Sequence, residues 1–263
     1  MGSATREALA RSASALAGLG SKADLATAED LFAAGRVVAD SAQLRAVLSD
    51  PSADAAGKKA LVQRIFGSLS APAVELLTVV AGERWSGQDD LTAAIEELGI
   101  RSIAASVPAD VDLVAELLAF GGAVTSDAQL ELALRSKLAD PQAKAALAER
   151  LLAGKASAQT VAIVRQLVLQ PRGRSIREAL REATRAVAAQ HGQTLATVTT
   201  AKPLPAAQVE RLRATLSATY GELKLSEVVD PAIIGGLRVQ IGDDVIDGSV
   251  ASRLNELRLQ LAG

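Results

Sequence analysis

The chain has no cysteine among its 263 residues, and only one histidine, one tryptophan, one tyrosine and one methionine. Without cysteine there are no disulfides and no thiolate metal ligands, a composition that fits a cytosolic setting. A single histidine, His191, leaves no multi-histidine metal site and no Cys–His pair. A basic excess is missing too: the formal net charge of −2 gives no electrostatic footprint for nucleic acid. No apolar run reaches the roughly 18 residues that a spanning helix needs. Near the N-terminus, Arg6, Glu7 and Arg11 interrupt any candidate signal-peptide core. The expectation is a soluble chain without direct membrane insertion, reaching a membrane only through a partner.

What is abundant is alanine and leucine. Hydrophobic residues make up 49% of the chain and aromatics 2%. Such a core favours helices, because strands prefer β-branched and aromatic residues. Much of the sequence reads as a duplication. Ala42-Gln-Leu44 recurs as Ala128-Gln-Leu130, an offset of 86 (128 − 42). Lys58-Lys-Ala-Leu-Val-Gln-Arg64 is echoed by Lys144-Ala-Ala-Leu-Ala-Glu-Arg150 at the same offset. Ser70-Ala71 corresponds to Ser157-Ala158, and Asp50-Pro51 to Asp140-Pro141 at an offset of 90 (140 − 50), which implies a local insertion in the second copy. In both Asp-Pro pairs the acid is placed to cap a helix that proline begins. The first copy predicts helices at about 4–18, 23–39, 41–49, 51–67, 71–84 and 87–106, and the second at about 109–124, 126–138, 141–153, 157–170 and 173–190. The helix ending near Ala105 is expected to serve both copies, with a kink or break at Val107-Pro108.

From Gly192 the pattern changes. Thr194-Leu-Ala-Thr-Val-Thr-Thr200 is a β-branched run, and a helix follows Pro205 as far as about Tyr220. Leu223–Val229 alternates, and Leu237, Val239 and Ile241 alternate with Arg238 and Gln240, the period of a strand with one buried face. Gly242-Asp243 then makes a two-residue hairpin loop, and Asp247-Gly248-Ser249 ends the second strand, with Ser249 capping a helix from Val250. Gly236 is expected to permit close backbone approach and Gly248 a turn dihedral. The predicted fold is mostly α: two tandem helical bundles, 1–106 and 107–191, sharing one helix, then a small α+β domain, 192–263, with a β-hairpin.

The hairpin region, with Asp230, Gly236, Gly242-Asp243, Val245-Ile-Asp247-Gly248-Ser249 and Arg253-Leu254, resembles the C-terminal region of the delta subunit of F-type ATP synthase, the oligomycin-sensitivity-conferring protein of mitochondria. Gly173-Arg174 ahead of a helix, followed by a strand ending in Thr-Thr-Ala-Lys-Pro-Leu, looks like that family's junction between its two domains. The usual layout covers roughly residues 109–263, and the additional bundle is similar to the longer delta subunits of some high-GC bacteria. The resemblance implies a non-catalytic stator subunit. Its helical domain would bind N-terminal helices of the alpha subunits on the catalytic head, and its C-terminal domain the b-subunit stalk. The chain would lie peripherally on the cytoplasmic face of the bacterial membrane. Which bundle serves the alpha subunits stays open. A helical adaptor of an unrelated complex is the rival.

No catalytic, cofactor-binding or metal-binding residues emerge. Gly154-Lys155-Ala156-Ser157 superficially matches a phosphate loop, but Glu149 stands where that motif needs its first glycine, so it reads as a helix stop and a new cap. Asp243 and Asp244 fit a turn, and His191 beside Gly192 fits a helix end. Trp85 reads equally as a helix-end core residue or an interface anchor. Arg174, Arg177, Arg181 and Arg185, spaced three, four and four apart, form either a solvated helix face or a seat for an acidic partner segment.

Overall fold

The computed structural model describes residues 2–136, 138–229, 233, 235–241, 244–248 and 250. Twelve α-helices and a four-stranded sheet lie among the described residues. The first helix, α1 (Ser3–Leu19), leads through a 3₁₀ turn (Gly20–Lys22) to α2 (Leu25–Asp40), α3 (Ala42–Ser49), α4 (Ala55–Phe66), α5 (Ala71–Gly82) and α6 (Gln88–Ser106). Next come α7 (Leu113–Ser126), α8 (Ala128–Arg135), α9 (Pro141–Leu152), α10 (Ala158–Leu169) and α11 (Ile176–Gln190). Strand β1 (Thr194–Thr200), α12 (Ala206–Tyr220), β2 (Leu223–Val229), β3 (Leu237–Ile241) and β4 (Asp244–Asp247) complete the described elements.

The duplication is visible in hydrogen bonds as well as in helix order. In the first copy Asp30 on α2 accepts the backbone N–H of Ser70, the N-cap of α5, at 2.8 Å. In the second, Glu116 on α7 accepts the N–H of Ser157, the N-cap of α10, at 3.0 Å, and its hydroxyl at 2.6 Å. Each acid ties the second helix of its copy to the start of the fifth, satisfying an orphan helix-terminal donor. The shared lysine has a matching place. Lys144 donates to the carbonyl of Ser136, the C-cap of α8, at 3.0 Å. Lys58, 86 residues earlier (144 − 58), is buried beside Asp50, the C-cap of α3. Burial lowers the Lys58 pKa and Asp50 partly offsets that. A cation at a helix C-terminus complements the dipole.

The Asp-Pro correspondence was half right. Asp140 caps α9 through the N–H groups of Gln142 and Ala143, with Pro141 as first residue. Asp50 instead accepts from the N–H and hydroxyl of Ser52 in a turn, and α4 starts at Ala55 under an Asp54 cap to Gly57. Caps Asp54 and Asp140 are 86 apart (140 − 54), so the copies keep register without an insertion.

Three apolar clusters hold the molecule. The first contains Leu16, Leu31, Val38, Val62, Leu76, Trp85, Leu91 and Leu98 from α1–α6 and the segment joining α5 to α6. The second combines Leu117, Phe120, Ala148, Ile163, Leu167 and Val187 from α7–α11 with Ala28 and Phe32 of α2 and Ile100, Ile103 and Ala104 of α6. Helix α6 therefore serves both cores, as expected; that α2 does so too was not anticipated. At 19 residues α6 is about 28 Å long. It ends at Ser106, where Val107 turns extended before Pro108. Helices α2 and α6 touch at Gly99, where an added Cβ would come within 2.7 Å of Phe32 Cδ1. Gly99→Ala should cost about 1–3 kcal/mol by overpacking. Phe32→Leu should cost less in the Gly99→Ala background than in the wild type, a coupling that urea unfolding of the four chains would measure.

The sheet has the order β2-β1-β3-β4. Strand β1 pairs parallel with β2 across α12 and antiparallel with β3, and β3 pairs antiparallel with β4. The Ile241↔Asp244 pairing leaves two residues for the loop, as the hairpin reading requires. Alternate side chains of β1 serve different cores. Leu195 joins the second helical cluster, whereas Ala196 and Val198 pack with Leu216, Leu223, Val239 and Ile241 in the third.

Candidate functional site

The most concentrated charge chemistry sits where α6 meets the turn between α10 and α11. Arg172 and Gly173 have positive φ, 49° and 77°, and this turn sends both neighbouring arginines toward α6. There Glu96, 4% exposed, accepts from Arg172 Nη2 at 2.9 Å and from Arg174 Nη2 at 2.8 Å. Arg174 also bonds Glu182 on α11. Burial alone would lower the Arg174 pKa, but Glu96 and Glu182 more than offset this and hold it above its ordinary value. Buried Glu96, half-buried Arg172 and Arg174 and the exposed Glu182 together sum to zero charge, and pairing of this kind is what allows the buried carboxylate to be tolerated.

This geometry corrects the stripe of four arginines. Helix α11 begins at Ile176 under a Ser175 cap, so Arg174 precedes the helix and is committed to intramolecular partners. Arg177 pairs with Glu131 of α8 at 3.2 Å. Arg181 is exposed and Arg185 half-buried, and neither makes an ion pair among the described residues. On the neighbouring α8 and its following loop, Leu132 is 69% and Leu138 100% exposed. Sequence reasoning missed Glu96, since a lone glutamate in a long helix carries no pattern until its partners are located.

Helix α2 covers part of the second bundle. Arg36 bonds Gln166 of α10, and Gln170 Nε2 donates to the Gly35 carbonyl at 3.2 Å. Trp85 is a core residue of the first bundle: it is 5% exposed and its indole N–H donates to the Val80 carbonyl at 2.8 Å. His191 follows α11 as its C-cap, with Gly192 at φ 71°. Gly154 (φ 68°) and Ser157 stop α9 and cap α10 as read.

The sheet meets the helical body at a cleft of about 400 Å³ lined by Val107–Val114, Val187, His191, Gln193 and Lys224. Lys224 of β2 bonds Asp112, which also caps α7 through Ala115 N–H at 3.0 Å. Burial pushes the Asp112 pKa up, but Lys224 and the backbone donors outweigh it, leaving a net lowering. A carboxylate with a depressed folded pKa contributes stability above its unfolded pKa, near 4, and loses it as pH falls through the folded value. Asp112→Asn should therefore flatten the decline of stability below about pH 4. Superimposable pH profiles of midpoint for variant and wild type would contradict this.

In the hairpin region the roles of two glycines are exchanged. Gly236 has φ 82°, so it supplies the left-handed dihedral. Gly248 supplies the close approach: its N–H donates to the Leu237 carbonyl at 2.9 Å, and a Cβ there would lie 3.2 Å from that oxygen. Asp247 lies at the exposed end of β4, paired in register with Arg238. Asp230, Gly242, Asp243, Ser249, Arg253-Leu254 and the body of the expected final helix lie outside the described residues. Among the described residues no group of three metal-ligating side chains forms, and no helix is long and apolar enough to cross a membrane.

A family model described as ATP synthase delta (OSCP) subunit matches residues 10–97 and 103–261, the interruption falling inside the doubly used α6. The chain belongs to the ATP synthase delta (OSCP) family. It is 81% identical, over the full length of both chains, to the ATP synthase subunit delta of Leifsonia xyli subsp. xyli. To those of Streptomyces avermitilis and Kineococcus radiotolerans it is 40% identical, covering 89% and 90% of this chain and 88% of each relative. The added bundle is thus no oddity of this sequence, since the Leifsonia relative aligns with it from end to end.

Proposed function

We propose that this chain is a peripheral-stalk subunit of a proton-translocating F-type ATP synthase, tying the catalytic head to the b-subunit stalk so that the head does not turn with the rotor. The full-length likeness to a protein named ATP synthase subunit delta carries this reading. It also leaves the unrelated-adaptor reading without support. The chemistry agrees. Glu96, Arg172, Arg174 and Glu182 are spent on one another, and a coupler needs stiff contacts rather than reactive groups.

In this reading a helical bundle takes amphipathic N-terminal helices of alpha subunits and the sheet domain takes the end of the b subunit, at the cytoplasmic face of the membrane. Two attachments in one chain make the second effectively intramolecular, so the joint hold exceeds either alone. In the second bundle, α2 already lies across α6 and α10, so a partner helix there must use another surface. The α8–α11 side offers exposed apolar anchors at Leu132 and Leu138 with Arg177, Arg181 and Arg185 on the adjoining helix. Such a combination suits an acidic amphipathic segment.

A tagged copy expressed in its own cells should bring down both head and stalk subunits of the synthase. A double variant, Leu132→Asp with Arg181→Glu, should lose head subunits while retaining the b subunit. Undiminished recovery of both would remove the α8–α11 face from this role, and recovery of neither by the wild type would contradict the whole reading.

A further inference from the structure

We infer that the two helical bundles are one rigid, cooperatively folding body, clasped by α2 and by the Glu96 cluster, so that the first bundle is a fixed arm and not a tethered domain. Domains joined by small polar interfaces move relative to one another as a rule. Here no linker separates the bundles, because they share the uninterrupted helix α6. On α2, Leu31 is buried in the first core and its neighbour Phe32 in the second. Any swing of the first bundle would drag Ala28 and Phe32 out of the second core. It would also break Arg36–Gln166 and the Gln170–Gly35 bond.

The ion cluster adds direction. Two guanidiniums from one turn converge on a single carboxylate of α6, and Arg174 continues to Glu182 on α11. Planar arginine forks hold such geometry more narrowly than apolar contacts do. A surface on the first bundle is thereby presented at a set distance and angle from the second bundle. The inference holds whichever complex the chain joins, so its failure and that of the proposed function are separable.

The sequence supplies a clean probe. Trp85 is the sole tryptophan and belongs to the first core, whereas Leu117 is fully buried in the second. In Leu117→Ala, denaturant unfolding followed by Trp85 fluorescence should shift by the same increment as the far-UV circular dichroism. If the Trp85 transition stays at its wild-type midpoint while the dichroism splits into two steps, the bundles are independent and the inference fails. Ile163→Val, a milder change in the second core, gives the same comparison should Leu117→Ala not fold. Because the chain lacks cysteine, Ile65→Cys with Leu132→Cys places two nitroxides on exposed sites, one per bundle. A single narrow distance distribution is expected, and a broad one would overturn the fixed arm.

Discussion

A chain that begins at residue 107 is expected to lose cooperative unfolding, although its sequence contains the five helices α7–α11 and the sheet. Such a truncation removes Ala28, Phe32, Ile100, Ile103 and Ala104, all buried in the second core. Each large side chain lost from a core forfeits about 1.5–3 kcal/mol of burial. Losing Phe32, Ile100 and Ile103 together removes about 4.5–9 kcal/mol, comparable with a total stability of about 5–15 kcal/mol. The cut also strands Arg172 and Arg174 without Glu96. Far-UV dichroism with a sloping, transition-free melt is the expected result; a sharp melt close to that of the full chain would show that α2 and α6 are dispensable.

The second large effect concerns Glu96 itself. Glu96→Ala leaves two guanidiniums, 17% and 11% exposed, facing a site without its carboxylate. Breaking a buried ion cluster from one side costs about 3–5 kcal/mol, because the remaining charge stays desolvated. For a chain of this size that corresponds to a Tm lower by on the order of 10 °C. Replacing Glu96, Arg172 and Arg174 together by leucine or methionine should recover most of the loss, since no unpaired charge then remains at Glu96. Calorimetry of the single and triple variants separates the two contributions. A Glu96→Ala melt within a degree of wild type would mean that the cluster does not brace the bundles.

Much of the architecture was legible because its signals are local. Asp140 and Ser157 cap α9 and α10 where the sequence placed those helix starts, whereas α2, α7 and α8 begin two to four residues later than expected, after the caps Asp24, Asp112 and Asp127. The alternation of Leu237, Val239 and Ile241 matches the buried face of β3, with Val239 and Ile241 nearly inaccessible. The copies announced themselves through Lys58 and Lys144, each placed near the C-cap of the preceding helix, Asp50 and Ser136 respectively. Errors arose where two residue patterns have the same local reading. An Asp-Pro pair caps a helix at 140 but makes a turn at 50, because Asp54 competes as the cap. Four arginines at helical spacing looked like one face until the positive φ of Arg172 and Gly173 took Arg174 off the helix. What could not be read was long-range. Neither Glu96 with its two arginines nor Phe32 with Gly99 leaves a mark in sequence, since 76 residues separate Glu96 from Arg172 and only the fold brings them together.

The proposed role is mechanical, to keep the catalytic head from turning with the rotor. Its most direct test is proton-driven ATP synthesis by energised membranes stripped of the chain and then reconstituted with it. Stripped membranes should synthesise almost no ATP while their released heads still hydrolyse it, and adding back the purified chain should restore synthesis. Equal synthesis with and without the chain would contradict the account.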